Sequence, residues 1–292
     1  NLRLSPVPFL VAEILASNIG GAATLIGDPP NILIGSAAGY DFLEFAGHMT
    51  PIALLSLIGF IGFLALRVRR EVIVEKPVAP SLDPRGLITD HTLLRKSLAV
   101  MGLVLVGFLL HGALHLEPAT IALAGATLLL LITRKEPHSS LEQVEWTTLF
   151  FFVGLFILVE GLVQVGVIEW MAREVLQLTR GNLRLTSTAI LWLSGLTSGI
   201  VDNIPYTATM IPLVQSLGRS MPIEPLWWAL AMGADFGGNF TLVGASANLV
   251  VATVAERAGH PITFRSFLTY SVGPTLMVLL LSTVYLWLRY LI

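Results

Sequence analysis

Three aspartates lie where hydrophobic stretches of this sequence are interrupted by glycine or proline. Asp28 lies in GGAATLIGDPPN, Asp202 in SGIVDNIPYTAT, and Asp235 just before GGNFTLVGASAN. A charged aspartate costs about 2.5–3.5 kcal/mol at the centre of a membrane helix, so its presence there favours a functional role. Each is therefore a candidate cation ligand or proton carrier. For Asp28, capping of a half-helix that begins near Pro30 is an alternative.

A fourth acidic residue, Glu160, lies in the apolar stretch FILVEGLVQVG. It is a candidate proton relay, because acidic side chains within membrane segments often carry protons. A paired packing residue and a position near the membrane interface are equally good interpretations. The candidate proton-coupling residues are thus Asp28, Asp202, Asp235 and Glu160.

Two of the interruptions are copies of one pattern. A shift of 217 residues aligns residues 20–31 with residues 237–248, and six of the twelve positions are identical. Four predicted crossings and one re-entrant segment separate the copies, so the second copy runs in the opposite direction through the bilayer. Inverted copies of glycine-interrupted helices are typical of secondary transporters, whose binding site lies at the midplane between them.

A break in a membrane helix leaves backbone groups unpaired, which is tolerated around a polar cavity or a bound ion. Freed carbonyls can hold a cation, and the next half-helix offers N–H groups to an anion. A flexible kink packed against its neighbours is the alternative, and the second copy makes it less favourable. The candidate ion-binding residues are Thr24, Gly27, Asp28, Asn31, Asp202, Asn203, Thr207, Asn239, Thr241, Ser246 and Asn248.

The composition indicates a membrane protein. Of the 292 residues 54% are hydrophobic and 12% are charged, whereas soluble domains carry about 25% charged residues. The net charge is -2 and no basic patch occurs, so nucleic acid is not an expected partner. There is no cysteine, and neither a metal site nor a catalytic residue is predicted.

The elements that must position these residues are apolar helices. Five stretches are long and apolar enough to predict membrane spans; they are 46–66, 97–114, 118–133, 146–166 and 268–288. Three more are apolar but interrupted, namely 6–39, 185–216 and 226–256. The amphipathic stretch 168–180 predicts a helix along the interface. The sequence therefore predicts an all-α polytopic membrane protein with discontinuous helices.

The segment 185–216 predicts a re-entrant helical hairpin. Each of its arms is too short to span the bilayer comfortably, and Asp202–Asn203–Ile204–Pro205 form the expected tip. An ordinary pair of short spans with a turn at Asp202 is the alternative. A hairpin is favoured because its tip would lie beside the second break.

The distribution of lysine and arginine orients the chain. In this topology twelve of the 17 Lys and Arg residues share one face, which the positive-inside rule assigns to the cytoplasm. We therefore expect a multi-pass protein of the plasma membrane. Residues 1–66 would end a first inverted repeat, 67–96 would form a cytoplasmic loop, and 97–292 would form the second repeat.

The motifs SNIGGAATLIGDPPN, VDNIPYTATMIP and GADFGGNFTLVGASANLV together resemble the ion transporter superfamily. The closest branch contains arsenite permeases, sodium–proton antiporters and the melanosomal P protein, with a citrate transporter-like domain. The resemblance implies two inverted halves, each with a re-entrant hairpin and a discontinuous helix, and a homodimer. The first half here shows its broken helix without a preceding hairpin, so the resemblance implies an N-terminal truncation.

The expected function is secondary active transport of a small inorganic ion, held at midplane helix breaks. Arsenite efflux and sodium–proton antiport both fit, and the cofactors are none beyond bound Na⁺ or H⁺. An arsenite type would add a separate ATPase subunit to the expected partners, which are membrane lipid, the ion and a second copy. The alternatives are a di- or tricarboxylate symporter, disfavoured because Asp202 would repel an anion, and an intramembrane acid–base enzyme.

Overall fold

The computed structural model describes residues 6–68, 88, 90–134 and 136–292, and these residues form helices without any strand. The all-α fold class is therefore as predicted. The thirteen helices of the described residues are α1 Val7–Gly21, α2 Pro29–Ala38, α3 Phe42–Val68, α4 His91–Leu114, α5 Pro118–Thr133, α6 Pro137–Leu141, α7 Trp146–Gln164, α8 Val167–Leu178, α9 Leu183–Ser198, α10 Asn203–Leu217, α11 Glu224–Gly237, α12 Ser246–Arg257 and α13 Phe264–Tyr290.

The chain divides into two compact units. The smaller unit contains α4, α5, α6 and the start of α7. In it α4 packs along α5 at two glycines. A Cβ atom at Gly107 would lie 2.7 Å from Ile121, and one at Gly125 would lie 2.2 Å from Val104. Small residues allow this close approach between apolar helices.

The larger unit contains both broken helices, the hairpin, α8, α13 and most of α3. Its centre is α11, which is buried from Pro225 to Gly237 and packs against α9, α10, α13 and α2. A Cβ atom at Gly237 would lie 2.3 Å from the carbonyl oxygen of Gly195. This close glycine contact presses the first arm of the hairpin against the second broken helix.

Four of the described helices are long and apolar enough to cross a membrane; they are Phe42–Leu66, His91–Leu114, Trp146–Gln164 and Phe264–Tyr290. They coincide with four of the five predicted spans. The fifth, 118–133, is a helix of 16 residues. At 1.5 Å per residue it reaches about 24 Å, which is shorter than the roughly 30 Å hydrocarbon core.

The three interrupted segments have the predicted form. Segments 6–39 and 226–256 are each two helices with a break between them, and 185–216 is a pair of helices joined by a four-residue turn. Stretch 168–180 forms α8, whose Ile168 side chain is buried and which packs against α10. Its position along the membrane interface stays a prediction.

The predicted loop 67–96 lies largely outside the described residues. One part of that prediction is wrong, because residues 91–96 are helical. Asp90 begins this helix early, since its side chain accepts a hydrogen bond of 2.8 Å from the backbone N–H of Leu93. An aspartate in this position is a favourable N-cap.

Candidate functional site

Both broken helices are interrupted by residues that end one helix and begin another. The first break, 22–28, follows Gly21 and precedes Pro29 and Pro30. Proline is well tolerated in the first turn of a helix, where its missing N–H would have no intrahelical partner. The second break, 238–245, separates α11 from α12. The prolines therefore begin α2, and prevent α1 from continuing through the break.

Glycines allow the chain to cross itself closely in each break. A Cβ atom at Gly27 would lie 2.2 Å from the carbonyl oxygen of Gly21. In the second break, a Cβ atom at Gly244 would lie 2.6 Å from the carbonyl oxygen of Gly238. The shift of 217 residues relates the two pairs, so the repeat seen in the sequence is also a repeat of geometry.

Each break is closed by an asparagine in the half-helix that follows. Asn31 Nδ2 donates to the carbonyl oxygens of Gly21 at 3.4 Å and Thr24 at 3.1 Å. The side chain is fully buried. It thus satisfies two carbonyls that the broken helix leaves without an intrahelical partner.

The second half repeats this arrangement with shorter bonds. Asn248 Nδ2 donates to the carbonyl oxygens of Gly238 and Thr241, both at 2.9 Å. Asn31 and Asn248 were expected to bind ions. Their nitrogen atoms instead hold the breaks, and this leaves only the two oxygen atoms as candidate ligands.

The long helix after each break supports it with a hydroxyl group. Thr50 on α3 donates to the carbonyl oxygen of Ala23, and Ser271 on α13 donates to that of Phe240, both at 2.9 Å. The same shift of 217 residues relates these two carbonyls. Polar satisfaction of the breaks is therefore built twice, as a break inside an apolar medium requires.

The hairpin tip is docked on the second break. Asp202 accepts hydrogen bonds of 3.0 Å from the backbone N–H of Ile204 and from the Ser246 hydroxyl. Thr241 Oγ1 donates to the carbonyl oxygen of Gly199 at 2.6 Å. Both carboxylate oxygens of Asp202 are thus occupied, by a helix cap and by a bridge to α12. Its role in proton coupling stays a prediction.

The tip also reaches the first break. Asn203 Nδ2 lies 3.4 Å from both carboxylate oxygens of Asp28. Asp28 holds the position before α2, yet its side chain makes no capping hydrogen bond. The capping alternative for Asp28 is therefore wrong, because its carboxylate turns toward the hairpin instead.

A cavity of about 240 Å³ lies where the breaks and the tip meet. Six residues that line it are Asn18, Gly27, Asp28, Asn203, Ala245 and Ser246. Helices α2, α10 and α12 all begin here, and each N-terminus carries about half a positive charge. The carboxylates of Asp28 and Asp202 lie among these helix ends. The arrangement combines carboxylate, amide and helix-end groups that can hold a small ion.

Sequence reasoning missed Asn18, which connects the two broken helices. Its Nδ2 donates to the side-chain oxygens of Asn239 at 2.8 Å and Asn248 at 2.9 Å. Asn239 in turn donates to the carbonyl oxygen of Leu15 at 3.4 Å. The shift of 217 residues could have identified Asn18, because it aligns this residue with Asp235.

The predicted site residues lie on the elements that form this site, with one exception. Thr24, Gly27, Asp28 and Asn31 belong to the first broken helix, Asp202, Asn203 and Thr207 to the hairpin, and Asp235, Asn239, Thr241, Ser246 and Asn248 to the second broken helix. The exception is Glu160 on α7. It is exposed and accepts a hydrogen bond of 2.5 Å from Gln164, so it lies outside the breaks and the tip.

Two broken helices and a hairpin around a polar cavity define a transporter of the membrane-embedded, all-α class. Comparison with known families agrees with this class. A family model described as citrate transporter (CitMHS) matches residues 1–233. The chain belongs to this family of the ion transporter superfamily, as the resemblance of its motifs implied.

Three relatives illustrate its neighbourhood. An uncharacterized transporter of Mycobacterium tuberculosis is 48% identical over 295 residues, covering 99% of this chain and 69% of the relative. The 46 kDa membrane protein of Mycobacterium leprae is 46% identical, with coverage of 100% and 70%. The P protein of Homo sapiens is 32% identical over 361 residues, covering 95% of this chain and 43% of the P protein. These matches identify a transporter, and the alternative of an intramembrane enzyme is wrong.

Proposed function

We propose that the protein is a secondary active transporter of a small inorganic ion, driven by protons or sodium ions. The cavity between the two breaks is the substrate site. The observation that carries the proposal is the meeting of Asp28 and Asn203 in this cavity. The two residues come from the first broken helix and from the hairpin of the second half, so their contact depends on how the two halves are arranged.

The composition of the cavity favours a small substrate with little negative charge. Asp28 and Asp202 together carry two negative charges when ionised, against about one and a half positive charges at three helix ends. A free carboxylate substrate would face these aspartates at short range, and like charges repel. Arsenite efflux and sodium–proton antiport both remain within this proposal.

Transport of a di- or tricarboxylate is the second candidate function. It is favoured by the description of the matching family, citrate transporter, and by the three helix N-termini, which attract anions. For such a substrate, Asp28 would have to be protonated or paired with a cation. Coupled entry of a cation would meet this requirement.

Flux measurements in proteoliposomes separate these candidates. The full chain is reconstituted, and a pH gradient and a sodium gradient are imposed separately while uptake of sodium, arsenite or citrate is followed. We expect one inorganic ion to move against its gradient, driven by protons or sodium. Citrate uptake as the only coupled flux would establish the carboxylate symporter, and no coupled flux of any of the three would contradict the proposal.

The Asp28→Asn variant sharpens this test. It retains the size of the side chain and removes the negative charge that faces Asn203. We expect it to abolish coupled flux of an inorganic cation. The matched control is Glu145→Gln, an exposed carboxylate before α7, which should transport at the wild-type rate.

We also propose that the protein is a multi-pass protein of the plasma membrane that works as a homodimer. The four long apolar helices support the multi-pass arrangement. Much of the apolar side-chain surface of α4 and α7 is exposed to lipid or to another chain. Crosslinking in native membranes tests the dimer, with a band at twice the monomer mass expected.

A further inference from the structure

The carboxyl group of Asp235 is fully buried beneath the cavity and is used by none of the contacts described above. Its exposure is 0%, and neither oxygen atom has a hydrogen-bond partner. The amide of Asn31 lies beside this carboxyl group, and Asp28 is close enough to interact with it electrostatically. A buried carboxylate without a partner is strongly disfavoured, so a missing partner is implied.

Two further unpaired oxygens accompany Asp235. Asn31 Oδ1 and Thr207 Oγ1 are both fully buried and both lack a hydrogen-bond partner. The three residues lie on α2, α10 and α11, and each of these helices packs against the other two. Unpaired buried polar atoms are rare in folded proteins, and a group of them indicates an ion that is bound there.

The other half shows what this position looks like when it is closed. There Asn18 replaces Asp235, and its nitrogen donates to the oxygen of Asn248 at 2.9 Å. In the half with Asp235 the equivalent oxygen belongs to Asn31 and receives nothing. Because a carboxylate has no N–H to donate, the two repeats are chemically unequal. One is locked by amides, and the other leaves oxygens free.

We propose that Asp235, Asn31 Oδ1 and Thr207 Oγ1 form a buried site for the coupling ion, a single small monovalent cation. This inference rests on the proposed function and names the place where the driving ion is held. Carboxylate, amide and hydroxyl oxygens suit a hard cation such as Na⁺. One carboxylate among neutral ligands balances one positive charge, so the occupant is Na⁺ or a proton.

The surrounding groups are consistent with one charge. Asp28, from the first break, is the acidic group that interacts with Asp235. From α10, the nearest titratable residue in sequence to Thr207 is Tyr206, whose hydroxyl is paired with Ser194 at 3.1 Å. No cluster of three His, Cys, Asp or Glu that could hold a metal ion occurs among the described residues. A divalent metal is therefore not the occupant that we propose.

The test is thermal unfolding of the purified full chain across a pH series, in sodium chloride and in N-methylglucamine chloride. A ligand that binds the folded state raises the melting temperature. We expect wild-type protein to be stabilised by sodium at fixed pH if Na⁺ is the occupant. If the occupant is a proton, lowering the pH stabilises it equally in both salts. A melting temperature that responds to neither would overturn the proposal.

The decisive variant is Asp235→Asn, which copies the locked half. Its new amide can donate to Asn31 Oδ1 as Asn18 donates to Asn248. We therefore expect a folded protein whose melting temperature in N-methylglucamine chloride is at least that of wild type, and whose response to sodium or pH is lost. A full response in this variant would overturn the proposal.

A second variant keeps the test valid if Asp235→Asn does not fold. Thr207→Val removes one hydroxyl at almost constant volume, and should raise the half-saturating cation concentration about tenfold, as expected for about 1.4 kcal/mol. An unchanged value would overturn the role of Thr207. The control Glu160→Gln makes the same change of acid to amide outside the site and should respond as wild type. Because unfolding needs no flux, loss of transport with this response intact would contradict the proposed function alone.

Discussion

Alanine at Gly27 is expected to prevent correct closure of the first break and to abolish transport. Its Cβ atom would lie 2.2 Å from the carbonyl oxygen of Gly21 and 2.9 Å from the carbon atoms of the same residue. These are backbone atoms, so no rotation of a side chain relieves the clash. The measurement is the yield of monodisperse protein in detergent together with substrate flux. Gly244→Ala should behave similarly, since its Cβ atom would meet Gly238 at 2.6 Å.

Gly20→Ala is the matched control. A Cβ atom at Gly20 meets nothing within 4 Å, and Gly20 lies in α1 next to Gly21. Alanine is favoured over glycine in a helix by about 1 kcal/mol, so this variant should be at least as stable as wild type. Wild-type yield and flux in Gly27→Ala would show that the two strands of the break are farther apart than the structure gives.

Asn248→Ala is expected to abolish transport and to destabilise the fold. The change leaves the carbonyls of Gly238 and Thr241 without their donor, and leaves Asn18 without one of its two acceptors. An unsatisfied buried polar group costs about 1–3 kcal/mol. Asn31→Ala should also abolish transport with a smaller loss of stability, because its two hydrogen bonds are longer and its oxygen atom is unpaired.

Asn182→Ala provides the comparison for both variants. Asn182 is exposed and caps α9 by accepting a hydrogen bond of 3.0 Å from Leu185. Its loss should cost about 1 kcal/mol, as for other N-caps, with wild-type flux. The measurements are melting temperature and initial rate of uptake. Wild-type flux in both Asn31→Ala and Asn248→Ala would remove the model in which the breaks form the site.

Sequence patterns were sufficient to predict the main elements of this fold. The breaks were predictable because glycine and proline act on the backbone locally, so their effect is visible in sequence alone. The hairpin was predictable because its two arms are too short to span. The repeat was visible because close backbone crossings require glycine at Gly21, Gly27, Gly238 and Gly244, which limits the change that the two copies can undergo.

The roles of the polar side chains were less accessible. An asparagine can donate and accept, and only the fold shows that Asn31 and Asn248 donate into their own breaks. Asp202 was expected to hold an ion, but the docking of the hairpin tip gives both of its oxygens a donor. Asp235 looked like one of several aspartates until the burial of its oxygens and the contrast with Asn18 distinguished it. These are properties of contacts between distant segments, which periodicity and composition do not contain.

The central claim is that the cavity between the breaks is reached alternately from the two sides of the membrane. The chain has no cysteine, so a single Ala247→Cys substitution places one thiol in the lining of the cavity. The control is Ala258→Cys, at the exposed end of α12. The measurement is labelling by a membrane-impermeant thiol reagent from each side of oriented vesicles, with the gradient of the coupling ion imposed in either direction. We expect the labelled side to switch with the gradient for Ala247→Cys and to stay fixed for Ala258→Cys. Labelling of Ala247→Cys from one side only, under both gradients, would contradict the account.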